Sequence, residues 1–138
     1  MRALVCMTVL CVAALVIASG LGCTNLFPWG SNDIPLVASV SELRLGPGTD
    51  VGTFEITESR ADLSRRASLL VTNCLDCPPG AIGPVEPAEF TTHGLTPQTM
   101  TVHVSRAGLS EGTYTGYVQV YAANGAAIVA VVVVVGPQ

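Results

Sequence analysis

The most constraining feature of the sequence is a pair of long segments that meet at Asn124-Gly125. In residues 114–122 the side chains of Tyr114, Gly116, Val118 and Val120 alternate with a more polar set. Residues 126–135 are continuously apolar. Asn-Gly tolerates the positive φ angles that a two-residue β-hairpin turn requires. The sequence therefore predicts two antiparallel β-strands joined by a tight turn at Asn124-Gly125.

Four shorter segments also repeat with a period of two residues, which is the spacing of side chains on one face of a β-strand. They cover residues 40–45, 53–57, 67–73 and 99–105. Glycine and proline separate them, and the only short helical candidate is 61–66. This pattern predicts an all-β sandwich over residues 36–138, because alternating helix and strand signals are missing.

Residues 1–22 have the composition of an export signal. Arg2 precedes an uncharged apolar run over residues 3–18, and small residues lead to Cys23. The string Gly20-Leu21-Gly22-Cys23 resembles a bacterial lipobox, in which the cysteine receives a diacylglycerol and becomes the first residue. We therefore expect a lipoprotein signal peptide over 1–22 and a lipid on Cys23.

On this interpretation residues 23–35 are a tether between the lipid and the domain. The protein is then anchored to a membrane of the cell envelope and faces the periplasm or the exterior. Two alternatives stay open. An uncleaved transmembrane helix needs about 20 apolar residues, which the segment nearly supplies. An ordinary signal peptide would instead release a soluble protein.

Charge limits the classes of partner. Without residues 1–22 the chain has five arginines, no lysine and ten acidic residues, which gives a net charge of about −5. Nucleic-acid binding depends on clustered basic side chains, so a nucleic-acid partner is not expected. We interpret the adjacent Arg65 and Arg66 as a solvated patch, and Glu42, Glu55 and Glu58 as exposed strand residues.

Cys74 and Cys77 are the only cysteines within the predicted domain. An even pair in an exported protein favours a disulfide. A redox-active pair would sit at a helix N-terminus, but Pro78-Pro79-Gly80 follows here. A zinc site would also need His93 and His103, whose spacing of about ten residues exceeds the usual three-to-five-residue spacer.

Catalytic patterns are missing from the sequence. It contains neither a Gly-x-Ser-x-Gly elbow nor a glycine-rich phosphate loop. Glu86 and Glu89 lie in a proline-rich segment that we interpret as a solvated loop. The sequence therefore predicts a protein that is not an enzyme and that has no cofactor and no metal site.

The most specific string covers residues 107–120 and reads Ala-Gly-Leu-Ser-Glu-Gly-Thr-Tyr-Thr-Gly-Tyr-Val-Gln-Val. It resembles the C-terminal hairpin of bacterial immunoglobulin-like modules of the BACON type. Residues 43–46 and 54–57 resemble the opening strands of the same modules. The resemblance implies a single immunoglobulin-like antiparallel β-sandwich of about seven strands. Segment 84–90 lacks the tryptophan of the sugar-binding platform of some members, so that platform is not expected.

The last predicted strand is apolar on both faces, whereas a sandwich strand normally turns one face to water. We hypothesise that its outward face is a contact surface. This face is formed by Val131, Val133 and Val135, or by the alternate set, with Tyr117 and Tyr121 beside it. A simpler alternative is that β-propensity alone enriches the strand in valine.

These observations predict a membrane-anchored envelope lipoprotein whose immunoglobulin-like domain is a non-catalytic binding or spacer module. Its ligand would be a protein or a glycan. The alternative functions are a structural subunit of an envelope assembly and, less favoured, a Cys-x-x-Cys redox or zinc-binding protein.

Overall fold

The computed structural model of the chain describes residues 34–137. These residues form nine β-strands, in chain order β1 Leu36–Ala38, β2 Glu42–Leu45, β3 Val51–Glu58, β4 Arg66–Thr72, β5 Ile82–Glu86, β6 Glu89–Thr91, β7 Gln98–Val104, β8 Gly112–Ala122 and β9 Gly125–Val135. Within this part of the chain, no helix is long and apolar enough to cross a membrane.

The strands form two sheets that pack face to face as a β-sandwich. Sheet A has the order β1-β3-β7-β5, and sheet B has the order β2-β9-β8-β4-β6. All strand pairs are antiparallel except β2 with β9, which are parallel. The predicted all-β sandwich is confirmed.

The six segments predicted as strands correspond to β2, β3, β4, β7, β8 and β9. Three strands were not predicted, so the count is nine rather than about seven. β1 and β6 have three residues each, too few to show alternation, and β5 and β6 lie in the proline-rich segment. The helical candidate at 61–66 is wrong. Leu63 N–H donates to Arg60 C=O in a turn, and β4 begins at Arg66.

The hairpin between β8 and β9 is confirmed, with its turn shifted by one position. Ala122 pairs with Gly125, so the two loop residues are Ala123 and Asn124, and Asn124 has a positive φ of 59°. Gly125 is the first residue of β9. A Cβ atom there would lie 3.0 Å from the carbonyl carbon of Ile34, which shows why this position is a glycine.

The core fills the space between the two sheets. Sheet B contributes mainly valines and sheet A contributes larger side chains, because the two inner faces must interdigitate at a fixed spacing. The fully buried members include Phe54, Ile56, Met100 and Val102 from sheet A and Val118, Val120, Val129, Val131 and Val133 from sheet B.

Gly116 lies in the middle of β8 and faces the core. A Cβ atom at this position would lie 2.6 Å from the backbone oxygen of Thr72 on β4, and it would also overlap the side chain of Ile82 on sheet A. Glycine in a strand interior often marks such a close approach. The sheets and the neighbouring strand therefore require a residue without a side chain here.

We expect Gly116→Ala to lower the free energy of unfolding by about 2 kcal/mol, because the added methyl group must displace backbone atoms. Urea unfolding followed by circular dichroism measures this change. Gly46→Ala is the matched control, because no atom lies within 4 Å of its Cβ position. Equal unfolding midpoints for the two variants would show that the approach at Gly116 is not tight.

Candidate binding surface

One end of the sandwich contains a buried ion pair. Glu58, at the end of β3, is 1% exposed. Its carboxylate accepts two hydrogen bonds from the Arg65 guanidinium, at 3.0 Å to Oε1 and 2.5 Å to Oε2. The hydroxyl of Thr92 also donates to Oε1. The carboxylate is therefore paired in the two-pronged geometry that stabilises arginine–carboxylate contacts.

Two further N–H groups of Arg65 bond to backbone carbonyls. Nη1 donates to the carbonyl of Ala123 at 2.7 Å and Nη2 donates to the carbonyl of Ile34 at 2.9 Å. No buried side-chain nitrogen or oxygen of residues 34–137 lacks a hydrogen-bond partner. The carboxylate of the Glu58–Arg65–Thr92 cluster is therefore fully paired, and the role of the cluster is structural.

The cluster corrects two sequence interpretations. Arg65 was assigned to a solvated patch, but its side chain is only 11% exposed, whereas Arg66 is 76% exposed. Glu58 was interpreted as an exposed strand residue. A signal for its burial was present, since Glu58 continues the alternation of Phe54 and Ile56 onto the core face.

Cys74 and Cys77 are joined by a disulfide, with their Cα atoms 5.3 Å apart. The bond closes a short ring, which limits its contribution to stability to about 2 kcal/mol. β4 precedes the pair and a turn follows it, so no helix N-terminus activates either sulfur. The bonded sulfurs are not available as zinc thiolates.

The histidines that a zinc site would have needed do not form a cluster with other ligands either. Among residues 34–137, no group of three or more His, Cys, Asp or Glu side chains is placed to hold a metal ion. His103 lies on the outer face of sheet A, where its Nε2 is 3.7 Å from a carboxylate oxygen of Glu86. The predicted lipid site at Cys23 and most of the tether lie outside the described residues.

The contact surface proposed for β9 must be reassigned. Val131, Val133 and Val135 are at most 5% exposed and belong to the core. The reason is the register with β8, in which Val131 faces Gly116 and Val133 faces Tyr114, both on the inner face. The outward set of β9 is therefore the alternate one, formed by Ile128, Ala130, Val132 and Val134.

The outward set is not uniformly exposed. Val132 is only 5% exposed, because Thr115 of β8 and Arg44 of β2 flank it on the same face. Ile128, by contrast, is 59% exposed. The free apolar surface is thus confined to the part of β9 near the hairpin turn.

Three more exposed apolar side chains lie beside Ile128 on sheet B. Leu70 of β4 and Ile128 flank Gln119 of β8, and Tyr117 and Tyr121 stand on either side of Gln119 along the strand. The exposed fractions are 54% for Leu70, 47% for Tyr117 and 45% for Tyr121. We call the set Leu70, Tyr117, Tyr121 and Ile128 the outer apolar patch.

Ion pairs border the outer apolar patch on both sides. Arg66 pairs with Glu89 at 2.5 Å on the β6 side, and Arg44 lies 3.9 Å from Glu42 on the β2 side. An apolar centre within a polar rim is the usual anatomy of a protein interface. The outer face of sheet A is different, since β3 and β7 present mainly threonine, glutamate and histidine there.

Comparison with known proteins places the fold among immunoglobulin-like and PapD-like sandwiches. The periplasmic chaperone SfaE is 14% identical over 75% of this chain and 58% of its own, with a TM-score of 0.59. The CsuC–CsuE chaperone–tip subunit complex of Acinetobacter baumannii is 6% identical over 72% of this chain and 56% of the matched one, with a TM-score of 0.60.

A PapD-like domain of human CEP192 is 10% identical over 88% of this chain and 98% of its own, with a TM-score of 0.54. The chain spans little more than half of the length of the matched chains in the SfaE and CsuC–CsuE structures. No protein-family model and no curated protein matches the sequence. At these identities the similarity shows the fold alone.

The buried ion pair makes the stability of the domain depend on pH. Burial by itself would raise the pKa of Glu58, but the hydrogen bonds from Arg65 and Thr92 and the charge of Arg65 hold it below the ordinary value of 4.5. A carboxylate with a lowered pKa stabilises the fold above its unfolded-state pKa. This stabilisation is lost as the pH falls through the folded-state value.

We therefore expect the free energy of unfolding to fall as the pH is lowered from about 5 to about 3, and Glu58→Gln to flatten this dependence. At pH 7 the variant should be less stable by about 3 kcal/mol, because Arg65 keeps a buried charge without its partner. Urea titrations at each pH measure both effects.

Glu55→Gln, an exposed change on the same strand, is the control. A variant as pH-dependent as the parent would contradict this assignment.

Proposed function

We propose that the chain is a lipid-anchored protein of the bacterial cell envelope whose β-sandwich is a non-catalytic protein-binding module. The observation that carries the proposal is the outer apolar patch on sheet B. Four large apolar side chains are exposed there by 45% or more, whereas the outer face of sheet A is mainly polar and exposes only Val37 and Val51 to this extent. Clustered exposed apolar side chains within a polar rim mark interaction sites.

A protein ligand fits the patch better than a glycan. Leu70 and Ile128 are aliphatic, and the hydrogen-bonding groups beside them are the Gln119 amide and the hydroxyls of Tyr117 and Tyr121. Aliphatic side chains offer no partner to sugar hydroxyls, whereas aliphatic and tyrosine side chains together bind well to apolar protein surfaces. The CsuC–CsuE complex, in which a fold of this type is bound to a protein subunit, is consistent with this choice.

The anchor is proposed from the sequence. The apolar run that ends in Gly22-Cys23 supports lipid on Cys23, and the resemblance of residues 107–120 to BACON-type modules supports an exported bacterial protein. The disulfide between Cys74 and Cys77 is consistent with an oxidising compartment. A lipid at the N-terminus would hold the domain, with its patch, at the membrane surface.

We expect Cys23→Ser to move the protein from the membrane fraction to the soluble fraction, because the variant cannot receive the lipid. Fractionation after a high-salt wash, followed by mass spectrometry of the parent protein, measures this change. Cys6→Ser, within the proposed signal peptide, should leave the protein on the membrane. A Cys23→Ser protein that stays on the membrane would refute the lipoprotein assignment.

The patch is tested by crosslinking in intact cells with a photoreactive amino acid in place of Gln119. We expect a discrete crosslinked protein product that Ile128→Lys removes, because a charge within the patch must be desolvated on binding. Leu95→Lys is the matched control, since Leu95 is 60% exposed in a turn outside sheet B. Crosslinking that is equal in both variants would refute the protein-binding role. A crosslink to polysaccharide instead of protein would assign a glycan.

A further inference from the structure

β4 has a strand neighbour along its whole length on one side only. β8 pairs with it from Ala67 to Thr72, but the ladder with β6 covers only residues 66–68. β6 does not extend further along β4, because the chain just before it belongs to sheet A, where Glu86 of β5 pairs with Thr101 of β7. Residues 69–72 therefore have no strand partner on this side within the described residues 34–137. We call them the open edge.

The backbone of the open edge points toward this unoccupied side. Thr92 N–H donates to the carbonyl of Arg65 across the boundary between β4 and β6. In an antiparallel ladder, residues that bond to the same neighbour recur at every second position. The carbonyl of Leu69 and both the N–H and the carbonyl of Val71 therefore face outward from the sheet, in the positions that an added strand would bond.

The other edges carry features that prevent strand addition. β1 and β6 have three residues each, and β6 lies beside the exposed pair Arg66–Glu89. β2 presents Glu42 and Arg44 on its outer face. β5 contains Pro84 at an irregularity in its pairing with β7. Short, charged or proline-bearing edges are the common protection against edge-to-edge association.

The open edge is short, with four residues, but it has none of the other protections. Its sequence is Leu-Leu-Val-Thr, without charge, proline or glycine, and Leu70 is 54% exposed. Leu69 and Val71 are half-buried and pack against the core between the sheets. An unprotected apolar edge is a hazard unless a partner uses it.

We propose that the open edge receives an extended, uncharged segment of a partner protein by β-strand addition, antiparallel to β4 and in line with β6. This inference rests on the proposed function and specifies its binding mode, because Leu70 belongs to both the open edge and the outer apolar patch. In such recognition the main chain supplies the affinity and alternate side chains supply the selectivity. The segment places an apolar side chain opposite Leu70, on the face of the patch. Its neighbouring residues point inward beside Leu69 and Val71.

A synthetic peptide probes this site on the full-length protein in detergent micelles. The peptide has eight alternating valine and threonine residues, with one lysine at each end for solubility. Its control is a twin in which the eight central peptide nitrogens are methylated, which removes the donors of a strand without changing the side chains. We expect the amide of Val71 to exchange with solvent roughly ten-fold more slowly in saturating peptide, because that N–H becomes bonded.

Leu70→Lys should weaken peptide binding by roughly ten-fold, since a charged gatekeeper at an edge opposes strand addition. Leu95→Lys should leave binding unchanged. Binding without protection of Val71, equal binding of the methylated twin, or no binding up to about 1 mM peptide overturns strand addition. If the crosslink at position 119 persists in any of these cases, only the binding mode fails. If that crosslink is also absent, the proposed function fails with it.

Discussion

The rest of the structure depends on the buried contact between Glu58 and Arg65. A carboxylate taken out of water loses several kcal/mol of solvation, so the pair is tolerated only because its hydrogen bonds are complete. The same guanidinium also holds the carbonyls of Ile34 and Ala123. It therefore joins the entry of the domain, the end of β3, the start of β4 and the turn between β8 and β9. These segments belong to different sheets, and the contact fixes how the sheets meet at this end.

A second arginine has the same role at the opposite end. Arg106, between β7 and β8, donates to the carbonyls of Gly46 at 2.7 Å and Thr49 at 2.8 Å, and its Nε donates to the carbonyl of Val134 at 3.2 Å. It also pairs with Asp50. With both ends fixed by directional contacts, the middle of the sandwich can be filled by valines, which pack well but specify little by themselves. Because the arginine contacts at both ends fix how the strands pair, a core made mostly of valines still has a single register.

The sequence predicted the strands that alternate and missed those that do not. β8 and β9 were predictable because their side chains repeat over many residues and a turn signal joins them, whereas β1 and β6 are too short to show a period. The orientation of β9 could not be predicted, since both of its faces are apolar and a shift of one residue exchanges them. Its partners decide the orientation, because Gly116 and Val118 face inward on β8. The burial of Glu58 was missed because its charge was given more weight than its place in the alternating pattern of β3.

The outer apolar patch depends on the same two contacts, those of Arg65 and Arg106. Both arginine contacts lie at the ends of the sandwich, and the patch lies between them on sheet B, toward the turn that joins β8 and β9. A partner bound there would meet a preformed surface and would not have to break either contact, so little of the binding free energy would be spent on rearranging the domain. Leu70 extends that rigid surface to the open edge of β4. Because the arginine contacts hold the two sheets together at both ends, this small domain can expose apolar side chains without the sheets separating.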